Sequence, residues 1–151
     1  MGTTQRTIGV ETRGRTDGVT VPVGYVGEKL AATLSNSGTL TTATPTNVGT
    51  ISLTAGIWLV YAKGYLEVTS STSTYTSAQV SVSTISATID NTTRDLKNLP
   101  VNSTDLTFTP GILYVNNAAV STVYLVASVT YTGGAIRFNG SNSEFIAVRV
   151  A

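Results

Sequence analysis

Ile57-Trp58-Leu59-Val60-Tyr61-Ala62 is the stretch on which the fold turns. Successive side chains of a strand point to opposite faces, so a strand with one wet face alternates apolar and polar. This run is apolar on both alternating faces, and its Ile, Val, Tyr and Trp are strand formers. Val123-Tyr124-Leu125-Val126-Ala127 repeats the pattern. Strands of this kind need cover on both sides. No window carries a 3.6-residue apolar period, so the chain offers no helix for the purpose. Other copies of the chain are the expected cover, with Trp58, Leu59, Tyr61, Tyr124 and Val126 at subunit interfaces. Arg149, on the closing strand, is expected at a subunit seam, where a buried cation needs Glu144, Glu67 or a small anion beside it. Arg137 is assigned the same need.

Working outward, Val/Ile/Thr/Tyr-rich runs predict strands over 29–34, 48–53, 56–68, 76–88 (broken near Ser83), 105–109, 112–115, 121–132, 135–139 and 144–150. Asn36-Ser37-Gly38 and Gly133-Gly134 supply tight turns, and Pro110-Gly111 interrupts another pair. Residues 70–74 form a polar tip, and 89–104 a long charged connection. Eight or nine short strands in one domain predict an all-β, antiparallel jelly-roll sandwich. Residues 1–27, glycine-rich and holding Arg6, Arg13 and Arg15, are expected to be an arm or linker, and 28–151 the folded domain.

Composition removes whole classes of function. The 151 residues include no His and no Cys, which excludes a Ser-His-Asp triad, a Cys nucleophile, a His/Cys zinc site, an iron–sulfur cluster and disulfides. Charged residues make up 11%, and 28 Thr and 15 Ser do the solvating that Lys and Glu usually do. A net charge of +1 gives no electrostatic footprint for nucleic acid. No apolar run approaches a membrane span, and Met1-Gly2-Thr3-Thr4-Gln5-Arg6 lacks the apolar stretch of a signal peptide, so the chain is expected to be made in the cytosol.

Four segments together resemble the C-terminal knob of tailed-bacteriophage tail fibres and tail needles. They are Val21-Pro22-Val23-Gly24-Tyr25-Val26-Gly27-Glu28, Thr50-Ile51-Ser52-Leu53-Thr54-Ala55-Gly56-Ile57-Trp58-Leu59-Val60, Val123-Tyr124-Leu125-Val126-Ala127 and the closing Phe145-Ile146-Ala147-Val148-Arg149-Val150. Upstream, Ile8-Gly9-Val10-Glu11-Thr12-Arg13 resembles a junction phrase of phage fibre proteins, from which Arg15-Thr16-Asp17-Gly18 departs. The resemblance implies a homotrimeric jelly roll of the tumour-necrosis-factor/C1q type at the virion tail tip. An upstream trimeric stalk of the same chain would carry it, and a bacterial surface glycan or outer-membrane receptor would be its partner. A needle tip that plugs the particle and helps breach the outer membrane is the mechanical alternative.

Binding is the chemistry expected of the loops. Tyr75 offers an aromatic face for sugar, and Asn91, Arg94 and Lys97 offer groups for hydroxyls or for the acidic groups of lipopolysaccharide. No enzymatic activity, cofactor or metal is expected. Glu67, Asp90, Asp95, Asp105 and Glu144 are the carboxylates from which a glycosidase pair would be drawn. Asp90-Asn91-Thr92-Thr93-Arg94-Asp95 has oxygens without the rhythm of a calcium loop, and Arg94 adds a competing charge. A monomeric carbohydrate-binding module is the alternative from another class.

Overall fold

The computed structural model describes residues 20–70, 74–102 and 105–151. In chain order its strands are β1 (Lys29–Ala31), β2 (Thr46–Leu53), β3 (Gly56–Val68), β4 (Thr74–Ser83), β5 (Asp95–Asn102), β6 (Leu106–Phe108), β7 (Leu113–Asn117), β8 (Ser121–Thr132), β9 (Ile136–Phe138) and β10 (Glu144–Arg149). A 3-10 turn, Gly140–Asn142, separates β9 from β10. No α-helix occurs among the described residues.

The long strand β3 organises one sheet. Along its first half it pairs with β10 on one edge and β7 on the other, and along its second half with β9 and β6. β1 extends this sheet beyond β10. The second sheet runs β2-β8-β4-β5. All pairings are antiparallel, and the two sheets pack as a β-sandwich. Within β3, Trp58, Val60, Ala62, Gly64 and Leu66 face inward and are buried, while Leu59, Tyr61 and Lys63 face outward. Phe108, Phe138 and Phe145 complete that side of the core, and Leu53, Val80, Val82 and Leu125 come from the other sheet. Gly64 lies where the two sheets come close together: a Cβ there would meet Val80 Cγ1 at 3.0 Å.

Residues 32–45 carry the chain from the first sheet to the second. They follow the β9–β10 edge through Ala32 N–H to Phe145 O (2.9 Å), Ser37 N–H to Phe138 O (2.9 Å) and Leu40 N–H to Ile136 O (2.8 Å), then reach β8 through Ala43 N–H to Val129 O (2.8 Å).

The predicted strands at 56–68 and 121–132 coincide with β3 and β8. The expected connection at 89–104 does not hold over its whole length, because its second half is strand β5. Charges and Pro100 hid it. Both are features of sheet edges, where an outward N–H goes unused and charge discourages further pairing. β5 is an edge strand, and Pro100 falls where its register with β4 shifts. Residues 22–27 are turns bonded to the domain, through Tyr25 N–H to Pro22 O (3.3 Å) and Gly27 N–H to Arg149 O (2.8 Å). Residues 1–19 of the expected arm lie outside the described residues.

Gly64→Val overfills the space against Val80 and is expected to destabilise the domain by about 1–3 kcal/mol, with Val80→Ala in the same chain restoring part of the loss. Urea unfolding midpoints check this, and an unchanged midpoint in Gly64→Val would argue against so close an approach of the sheets.

Candidate functional site

Strand direction divides the sandwich into two ends. β3 starts beside the C-terminus, where Ile57 N–H donates to Ala151 O (2.7 Å), and it finishes near Ala135, whose carbonyl accepts from Thr69 N–H (2.9 Å). Residues 20–28, 54–55, 84–85, 118–120 and 150–151 therefore share one end, the terminal end. Asp105 and the Gly133-Gly134 turn lie at the opposite, far end.

The outer face of the β3 sheet is the most distinctive surface. Register places Val148 on one side of Leu59 and Tyr114 on the other, with Ile146 beside Tyr61. Leu59 is 36% exposed, Tyr61 37%, Tyr114 59% and Ile112 64%. The terminal half of this face is thus a continuous apolar surface. The far half is polar. Glu67 accepts from Arg137 Nε (2.8 Å) and Asn139 Nδ2 (3.0 Å), while Asp105 accepts from Tyr65 Oη (2.8 Å) and Val68 N–H (2.9 Å). Arg137 and then Asn139 hold the Glu67 carboxyl below its ordinary range, and the bond to Asp105 raises the Tyr65 phenol.

The second doubly apolar strand is covered by its own chain. Val126, on the outer face of β8, is flanked by Ser81 and Asn47 in the register. Residues 84–94 lie over them: Asp90 N–H donates to Ser81 Oγ (3.2 Å), Asn47 Nδ2 to Ser86 Oγ (2.8 Å), and Ala87 N–H to Asn47 Oδ1 (2.7 Å). Thr93 Oγ1 seals the edge of β4, donating to Val82 O (2.7 Å) and accepting from Val82 N–H (3.1 Å). Hydroxyls thus satisfy backbone groups that a covering loop would otherwise strand.

Of the residues expected at subunit interfaces, Leu59 and Tyr61 lie on the exposed face. Tyr124, half-buried, lies on the outer side of the other sheet, away from them. Trp58 and Val126 are fully buried within one chain. Alternation turns Trp58 inward beside the outward Leu59, and a loop covers Val126.

Arg149 is likewise spent within the chain. Its Nε donates to Glu28 Oε2 (3.0 Å), its Nη1 to Ala55 O (2.6 Å) and its Nη2 to Thr54 Oγ1, and its guanidinium carbon sits 4.4 Å from the Trp58 ring centroid. The partner is Glu28, not the expected Glu144 or Glu67. Gly56, at φ +142°, makes room, since a Cβ there would lie 1.9 Å from Arg149 Nη1. Glu28 Oε2 also accepts from Gly24 N–H (2.8 Å), which locks the turns of residues 22–27 onto the last strand. The sequence signal for this pair was weak, because 121 residues separate its members.

The expected ligand residues do not form one surface. Tyr75 is in the core at the far end, where burial raises its phenol pKa. Asn91 and Arg94 are exposed, and Arg94 precedes Asp95, which pairs with Val80, five residues or about 17 Å along β4 from Tyr75. Lys97 bridges the sheets, donating to Thr107 O with its ammonium 5.0 Å from the Phe108 ring centroid. Asp90 accepts from Thr92 N–H (2.8 Å), and Asp95 from Thr109 N–H (2.8 Å). Among the described residues no group of three or more His, Cys, Asp or Glu could hold a metal ion, and no helix is long and apolar enough to cross a membrane.

No protein-family model matches the chain, and no curated protein matches it in sequence. Its surfaces alone carry the functional argument.

Two predictions follow from the charges. Glu28→Gln and Arg149→Met are each expected to cost about 3–5 kcal/mol by stranding a buried charge, and the double variant less than the sum. Chemical denaturation of the four proteins checks it. Glu67 has a depressed folded pKa, so its contribution is present above its unfolded value of 4.5 and is lost as pH falls through the folded value. The Tm difference between the native chain and Glu67→Gln should therefore shrink below pH 4.5; a difference constant from pH 7 to 3 would refute this.

Proposed function

We propose that this chain is the trimeric distal knob of a tailed-phage tail fibre or tail needle, a virion structural protein that attaches to the bacterial surface. The observation that carries the proposal is the apolar terminal half of the β3 sheet. Leu59, Tyr61, Ile112 and Tyr114 stand partly exposed on one face, and removing their remaining apolar area from water is worth about 25 cal/mol per Å2. Copies of the same chain provide that cover in a homotrimer.

Topology supports the jelly-roll assignment. Eight strand positions fill two four-stranded sheets, β1-β10-β3 with β6 and β7 as its fourth position, and β2-β8-β4-β5. The first and last strands are neighbours, and β1, β2, β3 and β4 alternate between sheets. The division into ends supports the placement on a stalk. Residues preceding Thr20 join at the terminal end, which leaves the far end, with its polar network of Tyr65, Glu67, Asp105, Arg137 and Asn139, directed outward to meet a bacterial glycan or outer-membrane receptor. Three such ends side by side turn weak contacts into avidity.

Size exclusion with light scattering over a hundredfold dilution tests the assembly. A mass near three times 15.7 kDa that resists dilution is expected. A stable monomer would remove the trimeric knob and leave the single carbohydrate-binding module, for which a glycan screen is the next measurement.

A further inference from the structure

The exposed face has a counterpart on the same chain. The turns at residues 22–27 present Val23, 74% exposed, Tyr25, 66% exposed, and Val26, 53% exposed. Exposed turns are ordinarily polar, and three apolar side chains on one of them call for a partner. The segment is firmly held: Gly24 and Gly27 adopt φ of +87° and +91°, Glu28 N–H donates to Tyr25 O (2.9 Å), and the buried Glu28–Arg149 pair anchors it. It therefore presents its apolar residues without a large ordering cost on association.

We propose that the turns at residues 22–27 of one copy dock on the Leu59–Tyr61–Tyr114 face of the next copy, in a head-to-tail contact repeated around a closed ring. This rests on the self-association proposed above and names the surfaces that make it.

Three observations carry the inference. Both patches are apolar and uncovered by any described residue of their own chain. They also lie at neighbouring heights along the sandwich. The turns bond to Arg149 and lead into Lys29, which pairs with Val148, and Val148 pairs in turn with Leu59, itself paired with Tyr114. Rotation about an axis parallel to the strands preserves height, so such an axis brings the two patches of successive copies together. Finally, the turns precede the β1 edge of the sheet, and Tyr114 lies on the β7 side, three strand spacings or about 14 Å away. Patches on opposite sides of one sheet make a heterologous contact, which generates a ring when the rotation closes.

The segment preceding Thr20 is a poor occupant of the face. Its 19 residues hold Arg6, Glu11, Arg13, Arg15 and Asp17 and only scattered apolar side chains, Ile8, Val10 and Val19 among them.

The chain has no cysteine, so introduced thiols report unambiguously. Tyr25→Cys and Tyr114→Cys are made singly and together, and oxidised at a concentration where the native mass has been measured. The separation of the two sides exceeds the ~7 Å Cα reach of a disulfide, so the double variant cannot link within one chain. It should give covalent dimers and trimers on non-reducing denaturing gels, and a mixture of the two single variants should give covalent dimers. Tyr25→Asp should lower the solution mass to that of one chain while leaving the circular dichroism spectrum unchanged. A trimer that forms no Tyr25→Cys to Tyr114→Cys link overturns this contact and leaves the trimeric knob standing. Efficient linking of Tyr25→Cys to itself also overturns the contact, because the turns would then meet each other. A native chain that is monomeric throughout overturns both proposals.

Discussion

Thirteen residues of continuous strand, Gly56–Val68, set the terms for the rest of the molecule. β3 pairs with four other strands, two along each edge, and its inward side chains run from Trp58 at the terminal end to Leu66 near the far end. Both flanking edges are interrupted, one by Pro110-Gly111 between β6 and β7, the other by the 3-10 turn between β9 and β10. Only β3 runs through, and the two halves of the sheet stay in register because each is measured against it. A central strand with both edges paired and one face fully buried has little freedom to slip, since a shift of one residue would send Trp58 and Val60 outward.

Polarity changes along that strand. Near its start the outward side chains are Leu59 and Tyr61; near its end they are Tyr65 and Glu67, tied to Asp105, Arg137 and Asn139. The exposed apolar side chains of residues 22–27, with Ile85, Val120 and Val150, gather at the terminal end. One end of the sandwich thus gathers exposed apolar side chains and the other a polar network. The buried Glu28–Arg149 pair belongs to the apolar end. Burying two charges is costly unless their remaining bonds are met, and Gly24, Ala55 and Thr54 meet them.

Much of this was legible in the residues. β3 and β8 could be placed because their apolar runs are long and their boundaries are marked by turns. The surplus of apolar side chains on Leu59 and Tyr61 was visible as a failure of alternation. Strand β5 was hidden because an edge strand keeps charge and proline, the same features that mark a loop. The facing of Trp58 and Tyr75 was not legible for a related reason: an aromatic residue in an apolar run can face either way until the strand's phase is known.

Composition and periodicity by themselves determined that the chain is all-β, that hydroxyls replace charges as its polar groups, and that thiol and imidazole chemistry are absent. Those properties depend only on which residues are present and on the two-residue period of a strand. The tertiary structure decided which apolar strand keeps a bare face, which loop covers Val126, and that Arg149 closes on Glu28. Each of these joins residues far apart in the chain, and a contact of that kind exists only once the sheets are ordered and the strand phases fixed.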